Sequence, residues 1–428
     1  MNYIFWLSRM TTPTINSVFL QQLDYAKKLL TISPTEDKLL KDIPNQLNSL
    51  IISICHQFSY PVVDIVPVGS SQRQTYLPGN RDIDIFVRLD TADRSMLEQF
   101  ASQVIPAIAS SLHTSFEIKY AENPYGVILY PLPDSQELIS IDIVVTIWLK
   151  DQLKLDKILP ISGMARTPFH MFYLQEHIRG LEEEVRLFKY WAKQKKLYRQ
   201  SGFTGFISEL LIIIFDSFQN ILSQADEICS LTYDFHDRSP KSLRKKFANF
   251  PMILMDPVDS NRNAAAGIHG VLGSFHLQRF TRLAHESLID PSTLWSEYSL
   301  SGIVFTLKIT FSKNITVKND EEYYSRIIKV LGLIYRALFD QEIIIQDALI
   351  DVKDSTLSFT TNSSGGGILQ VKGPPVHMPD HAKKFQENNP DWRTENGFYW
   401  STKQQLTVQE IVYRKINNPD FVHDIYFI

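Results

Sequence analysis

The hydrophobic and polar positions predict helices near the start and in the middle of the chain, with strands between them. Residues 18 to 58 read as largely helical, and from Leu181 the pattern again becomes strongly helical. A second set of apolar residues marks a helix that buries one face and carries no chemistry. That set is Ile207, Leu210, Leu211, Ile214, Phe215 and Phe218.

Short strands are predicted between these helical regions. The apolar run from Val62 to Val68 reads as a strand that ends at Gly69, and residues 82 to 87 read as a second strand. The β-branched residues of 140 to 147 predict a third.

The last third of the chain changes character. Apolar and polar residues alternate from Phe305 to Phe311, which is typical of a half-buried strand, and a helix is predicted over 321–339. Further strand-like segments lie near Ile343 and Leu357, and the serines and glycines of 363–367 predict a loop. This order indicates a small α+β module.

Composition sets limits on the class of protein. With 428 residues, of which 44% are hydrophobic and 21% charged, the chain is expected to fold as more than one domain. A net charge of -4 requires any polyanionic partner to meet local basic surfaces. Cys55 and Cys229 show neither zinc-ligand spacing nor a disulfide framework.

No targeting or membrane segment is expected. The start, Met1 to Met10, lacks the basic region and length of a signal peptide. No run approaches the roughly 20 apolar residues that cross a bilayer. The sequence therefore predicts a soluble, cytoplasmic protein with no membrane partner.

The candidate chemistry centres on the strand that begins at Asp82. Side chains of a strand alternate between faces, so Asp82 and Asp84 project to one side while Ile83 and Ile85 point into the core. Two adjacent carboxylates raise each other's pKa unless a cation lies between them. Mg²⁺ is the expected cofactor, because it prefers oxygen ligands and commonly joins carboxylates to substrate phosphates.

Two further features fit this site. Gly69 and Ser70 follow a strand directly, where free N–H groups and a hydroxyl at a turn into a helix can hold phosphates. Asp142 lies inside a strongly apolar strand, where an acid is costly without a partner. Beside Asp82 and Asp84 it completes a ligand set for two metals. Alone, each motif is more often structural, but together they favour catalysis.

The order Gly-Ser, Asp-x-Asp, strand Asp resembles that of the polymerase β nucleotidyltransferase superfamily, and other segments resemble the archaeal-type (class I) CCA-adding enzymes. The resemblance spans nearly the whole chain in the right order. Its segments are Ser115–Gly126, Arg166–His170 with Gly180–Lys189, Tyr198 with Gly202–Phe206 and Glu209–Leu211, Asp256–Ala265, and Gly373–Val376 with His381–Phe385.

The resemblance implies the roles of individual residues. Asp82, Asp84 and Asp142 are implied to be catalytic and to bind the metals. Arg262 is implied to help read the base of the incoming CTP or ATP. The residues implied to surround the nucleotide, chiefly its triphosphate, are Gly69, Ser70, Arg73, Thr167, His170, Lys189 and Tyr198.

Structural alternatives stand beside these roles. Lys189, Lys193 and Lys196 have helical spacing that would form a basic wall, although Lys193 and Lys196 fit a solvated face better. His170 is equally compatible with a satisfied core histidine, and Arg262 with a structural ion pair. Gln74 replaces a residue that is often small in the family. The basic segment 231–250 is either an RNA contact or an insertion.

The resemblance implies an α+β multidomain fold. A polymerase β-like nucleotidyltransferase head (1–150) would carry the metals, a helical neck (151–275) would bind the nucleotide, and a C-terminal α+β body and tail (276–428) would bind tRNA. Alternatives are a poly(A) polymerase or an oligonucleotide synthetase of the same fold, or a catalytically silent RNA-binding protein. The sequence does not decide the oligomeric state, and a homodimer stays open.

Overall fold

The structure is a computed structural model that describes residues 17–91, 93–120, 123–132, 138–149, 163–198, 202–311, 320–416 and 422–427. The chain divides into two compact units. The first takes Met1–Ile268 and Phe280–Glu297, and the second takes His269–Arg279 and Tyr298–Ile428. The finer division into head, neck and body stays a prediction. Met1 to Met10 and two residues of the Ser115–Gly126 segment, 121 and 122, lie outside the described residues.

The first unit contains a mixed sheet and a set of helices. Its helices are α1 (Ser17–Leu29), α2 (Pro34–Gln57), α3 (Ser95–Ser111), α4 (Thr167–His177), α5 (Glu182–Gln194), α6 (Gly205–Phe215), α7 (Phe218–Ser223), α8 (Ala225–Cys229) and α9 (Pro240–Lys246). Its strands are β1 (Val62–Val68), β2 (Asp82–Leu89), β3 (Phe116–Tyr120), β4 (Pro124–Pro131), β5 (Leu138–Ile147), β6 (Thr232–Tyr233) and β7 (Ile253–Leu254). Helix α10 (Gly270–Ile289) contributes residues to both units.

The five-stranded sheet has the order β1-β2-β5-β4-β3, in which β2 and β5 run parallel and the other neighbours antiparallel. One face of β2 and β5 is apolar and packs on α2 and α3, with Ile83, Ile85, Ile141 and Ile143 all buried. The opposite face packs Phe86 and Val144 against Met171 of α4. This second face also carries the aspartates.

Two predicted helices are interrupted. The helical pattern of 18–58 divides into α1 and α2, because Pro34 starts α2 and Ser33 before it adopts an extended backbone with ψ 131°. The apolar stripe from Ile207 to Phe218 also divides. Asp216 takes a left-handed φ of 63°, and the Ser217 side chain caps the start of α7 by accepting a bond from the Asn220 amide.

The second unit is the predicted α+β module. Its elements are β8 (Ile303–Phe311), α11 (Asp320–Phe339), β9 (Ile345–Asp351), β10 (Thr356–Thr361), β11 (Ile368–Pro375), α12 (Pro379–Asn388), β12 (Arg393–Glu395), β13 (Phe398–Gln404), α13 (Val408–Ile416) and β14 (Val422–Phe427). One sheet has the order β14-β8-β10-β9 and a smaller one β11-β13-β12. The strand predicted at Phe305–Phe311, the helix predicted at 321–339 and the loop at 363–367 are confirmed.

Candidate active site

The strand register brings the predicted acids together. In the parallel pairing of β2 and β5, Asp84 lies opposite Asp142, and Asp82 lies opposite Ser140. Paired residues of neighbouring strands share a face, and such strands are about 4.8 Å apart. Asp82, Asp84 and Asp142 therefore project from one face of the sheet. Asp82 is exposed, the other two are half-buried, and Asp82 accepts a hydrogen bond of 3.0 Å from Asn80.

The turn after β1 lies against this face. Gly69 has a φ of +83°, and a Cβ added to it would be 2.3 Å from Oδ2 of Asp84, so only glycine leaves room for that carboxylate. The Ser70 carbonyl then accepts bonds from the amides of Arg73 and Thr75, at 3.2 and 3.1 Å. The chain then enters a short 3₁₀ helix, Ser71–Arg73.

The electrostatics of the acidic face follow from this crowding. Burial raises the pKa of Asp142, and the charge of Asp82 adds to the rise, whereas Lys119 and a hydrogen bond with Ser140 oppose it. Within the described ranges, no three His, Cys, Asp or Glu side chains are grouped closely enough to hold a metal ion. The metal prediction therefore rests on the strand register and the charge of the face.

A cluster of cations surrounds Glu209, beside the turn. Its Oε1 accepts bonds from Thr75 Oγ1 at 2.5 Å and from Lys189 Nζ at 3.1 Å, and its Oε2 accepts from Arg73 Nη2 at 2.9 Å. Glu209 is 1% exposed. Burial alone would raise the pKa of Glu209, but the charges of Arg73 and Lys189 and these hydrogen bonds lower it. We call these four residues the Glu209 cluster.

A second buried acid, Asp256, holds His170 and Arg262. His170 Nε2 lies 2.9 Å from each carboxylate oxygen, and Arg262 Nη1 donates to Oδ2 at 2.7 Å. The backbone N–H of Val258 donates to Oδ1 at 2.9 Å. Burial opposes ionisation of Asp256, but the bond and charge of His170, Val258 and Arg262 lower its pKa. The structural ion pair considered for Arg262 is thus present, and the nucleotide roles of His170 and Arg262 stay predictions.

The remaining nucleotide-binding candidates lie on adjoining elements. Ser70 is in the turn after β1, and Thr167 is the first residue of α4. A Cβ added to Gly205 would lie 3.2 Å from the Tyr198 hydroxyl and 3.7 Å from Lys189 Nζ, which shows that both polar groups reach the start of α6. No structural observation tests their binding roles, which stay predictions.

The basic wall suggested by the three lysines does not form. Lys189 is 3% exposed and belongs to the Glu209 cluster, whereas Lys193 is exposed. Helix α5 ends at Gln194, and Lys196 follows with a φ of 54° and pairs with Glu297. The three residues therefore do not share one helix face, and the solvated interpretation of Lys193 and Lys196 is confirmed.

The basic segment 231–250 contains α9 and lies near the Asp256 loop. Arg244 donates to the carbonyls of Leu231, Phe250 and Pro251 at 3.1, 3.2 and 2.9 Å, which is a structural role. Lys246 Nζ donates to Asn261 Oδ1 at 3.0 Å. The exposed Lys241 and Lys245 leave the two alternatives for this segment open.

Two family models and several known enzymes match parts of this chain. Residues 49–135 match the model of the nucleotidyltransferase domain, and residues 183–294 match that of the tRNA nucleotidyltransferase second domain. A CCA-adding enzyme of Halorubrum lacusprofundi is 33% identical over 54% of this chain and 46% of its own length. One of Methanococcus maripaludis is 26% identical over 91% and 90%, and one of Methanocaldococcus jannaschii is 31% identical over 58% and 55%.

The chain is similar to archaeal CCA-adding enzymes over both of these regions. It spans about half the length of the Halorubrum and Methanocaldococcus relatives, and nine-tenths of the Methanococcus relative. The solved structure of Cid1, described as having RNA terminal uridylyl transferase activity, aligns with a TM-score of 0.49 at 13% identity over 67% of this chain and 99% of that chain. This last likeness is too distant to bear on function.

Two residues of the family segments receive functions that the sequence did not indicate. Both are buried acids: Glu209 holds Arg73 and Lys189, and Asp256 holds His170 and Arg262. The signal for Glu209 is its position in the otherwise apolar helix α6, where an acid is unfavourable without partners. No sequence signal near Asp256 predicts its contact with His170, because His170 lies 86 residues earlier.

Proposed function

We propose that the protein completes the CCA terminus of tRNA from CTP and ATP, without a nucleic-acid template. The observation that carries the proposal is the register of β2 and β5, which sets Asp84 opposite Asp142 on the face that also bears Asp82. The Gly69 turn closes on the same carboxylates. The family matches over residues 49–135 and 183–294 support the choice of substrate.

Asp82, Asp84 and Asp142 are the residues that would hold divalent metal, which we propose to be Mg²⁺. The fit is supported by the acids of this face: burial first, and the charge of Asp82 in addition, raise the pKa of Asp142 although Lys119 opposes them, and a bound cation would favour the ionised form. Oxygen ligands from carboxylates suit Mg²⁺. Held by these residues, divalent metal would supply the positive charge that activates the 3′-hydroxyl of the RNA and stabilises the leaving pyrophosphate.

The triphosphate is assigned to the Gly69 turn and the cations next to it. The Glu209 cluster holds two cations, Arg73 and Lys189, beside this turn. Arg73 Nε and Ser71 Oγ are buried donors that have no hydrogen-bond partner among the described residues, and both belong to this turn. Buried donors of this kind are expected to bond to a ligand or to water.

Base choice is assigned to Arg262, and His170 is assigned to the triphosphate with the other residues around the nucleotide; both side chains contact Asp256. With no template strand, the protein and the growing RNA end select CTP or ATP together. The C-terminal body and tail, 276–428, are assigned to tRNA binding, as the resemblance implies. A double-stranded acceptor stem is read through shape and phosphates. On this proposal the protein acts in the cytoplasm, where tRNA is its partner.

The test is an extension assay with a tRNA that lacks its terminus, supplied with CTP, ATP or both, with and without Mg²⁺. We expect two C residues with CTP alone, and one A more when ATP is added, after which synthesis stops. A tRNA that already ends in CCA serves as the control and should not be extended. Continued addition of A would indicate a poly(A) polymerase, and no incorporation would indicate a silent RNA-binding protein.

A further inference from the structure

We propose that Glu209 is a positioning residue for the triphosphate of the incoming nucleotide, acting through Lys189 and Arg73. This inference rests on the proposed function, because it deepens the description of the same site. Glu209 itself would not touch the nucleotide. It would hold the two cations in the arrangement that receives the β and γ phosphates.

The first argument is the completeness of the contacts that Glu209 makes. Both carboxylate oxygens are occupied, Oε1 by Thr75 and Lys189 and Oε2 by Arg73, at distances of 2.5 to 3.1 Å. Lys189 Nζ also donates to the Thr75 carbonyl at 3.1 Å. Charge-assisted bonds of this kind are shorter and stronger than neutral ones, so the cluster is rigid.

The second argument is the place of the cluster in the fold. Arg73 and Thr75 belong to the turn that follows β1, Lys189 to α5 and Glu209 to α6. The carboxylate therefore joins the turn beside the catalytic sheet to two helices. Gly69, at the start of that turn, lies against Asp84. A change at Glu209 is thus passed to the position of the turn relative to the acids.

The third argument is charge. Two cations face one carboxylate in a site where Lys189 is 3% and the Arg73 side chain 9% exposed. Arg73 Nε is in addition a buried donor with no hydrogen-bond partner among the described residues, and such a donor is expected to bond to a ligand or to water. A polyphosphate is the ligand class of opposite charge that also accepts several hydrogen bonds. Without Glu209 the two cations would repel each other and separate.

A purely structural ion cluster is the competing interpretation, because removal of one partner from a buried charge pair destabilises any protein. The two interpretations differ in what they predict for ligands. A structural role lowers the folded fraction, which reduces kcat and leaves KM unchanged. A positioning role weakens the binding of ligands that carry β and γ phosphates and spares those that lack them.

The experiment compares wild type with Glu209→Gln by calorimetry, with inorganic tripolyphosphate, CTP, ATP and CMP as separate ligands and no RNA. We expect tripolyphosphate, CTP and ATP to bind about 10- to 100-fold more weakly, by a common factor, as expected for lost bonds between charged groups. Binding of CMP should be unchanged. In the extension assay, KM for both nucleotides should rise by more than kcat falls.

Glu184→Gln is the matched control. Glu184 lies on α5 and accepts a bond of 2.9 Å from the Phe218 amide, away from Arg73 and Lys189. Its loss should lower the thermal unfolding temperature and leave tripolyphosphate affinity unchanged. Equal tripolyphosphate affinity in Glu209→Gln and wild type would overturn the inference.

A second variant covers the case in which Glu209→Gln does not fold. Thr75→Val removes one hydrogen bond to Glu209 and keeps the shape of the side chain, so we expect a severalfold loss of tripolyphosphate affinity. Unchanged affinity there would also overturn the inference. Wild type that binds tripolyphosphate but extends no tRNA would refute the proposed function alone. Wild type that extends tRNA but binds no tripolyphosphate would refute the positioning role alone.

Discussion

Asp142 and Glu209 belong to the same unit, and their surroundings move their pKa values in opposite directions. Burial disfavours the charged form of both acids. Around Asp142 the neighbouring charge of Asp82 adds to that effect. Lys119 opposes both, but it offsets only part of the total rise in the pKa of Asp142. Around Glu209 two cations and a hydroxyl outweigh burial.

The difference shows how the candidate site is divided by charge. The face of β2 and β5 carries an excess of negative charge, whereas the Glu209 cluster next to it holds two cations. A nucleoside triphosphate with divalent metal supplies the complement of both. The acids of the sheet are therefore expected to serve the chemistry, and Glu209 to serve the placement of the substrate.

The largest effect is expected from Asp84→Asn. It should lower nucleotide incorporation by at least about a thousandfold, because metal stabilisation of the transition state is worth several kcal/mol. Single-turnover extension of tRNA measures this loss. The control is Asp90→Asn, an exposed acid that follows the end of β2, and it should retain wild-type rates. Equal activity of both variants would show that Asp84 is not needed for catalysis.

Gly69→Ala should follow, with a loss of about a hundredfold, the size expected when a catalytic group is displaced by about 1 Å. The added Cβ would lie 2.3 Å from Asp84 Oδ2. Gly79→Ala is the matched control, because Gly79 has a similar φ of +80° but open space around its Cβ position. Both variants carry the same backbone strain, so the difference in kcat between them isolates the collision. No difference would show that Asp84 can move without loss.

Lys189→Met and Lys195→Met separate a substrate-facing lysine from a structural one. Lys189 pairs with Glu209, whereas Lys195 donates to the Thr293 and Ser296 carbonyls at 2.7 and 2.8 Å. We expect Lys189→Met to raise KM for CTP and ATP by about tenfold or more, since a bond between charged groups is worth about 1.5–3 kcal/mol. Lys195→Met should lower the unfolding temperature and leave KM unchanged. A reversal of the two patterns would contradict the division.

The smallest effect concerns the pH dependence of stability. The folded state lowers the pKa of Glu209, so its stabilising contribution is present above the unfolded carboxyl pKa of about 4.3 and is lost as pH falls through the folded value. The free energy of unfolding of Glu209→Gln should therefore be about 1–3 kcal/mol lower than that of wild type at pH 7. Its unfolding temperature should accordingly lie a few degrees lower. The gap should narrow below about pH 4. Thermal unfolding at several pH values measures it, and a gap that is constant with pH would contradict the charged state of Glu209.

Much of the fold follows from local patterns. The strand predicted at Val62–Val68 has those bounds, and the strands predicted at 82–87 and 140–147 each extend two residues further at one end. Alternation and β-branched residues fix such strands because both are read within a few positions. The helix breaks at Pro34 and Asp216 are not predicted, because the apolar spacing continues through both positions although the helical backbone is interrupted there.

The candidate site is predictable to a lesser degree. The face shared by Asp82 and Asp84 follows from the strand period, and the meeting with Asp142 was expected from the cost of an acid in an apolar strand. The partners of Glu209 were not predicted, because Arg73 lies 136 residues away in the sequence. Gln74 shows the same limit: its left-handed φ of 57° suits a small residue, and its side chain donates to Asp37 at 2.7 Å instead.

The parallel pairing of β2 with β5 has a consequence for misfolding of the protein. The same two strands carry isoleucines on one face and acids on the other, so a displacement by one residue would bury the carboxylates and expose Ile141 and Ile143 to water. The only alignment that builds a dry interior is also the one that gathers the acids. Chains with a displaced strand are therefore expected to be lost to unfolding or aggregation, and not to persist as slow enzymes.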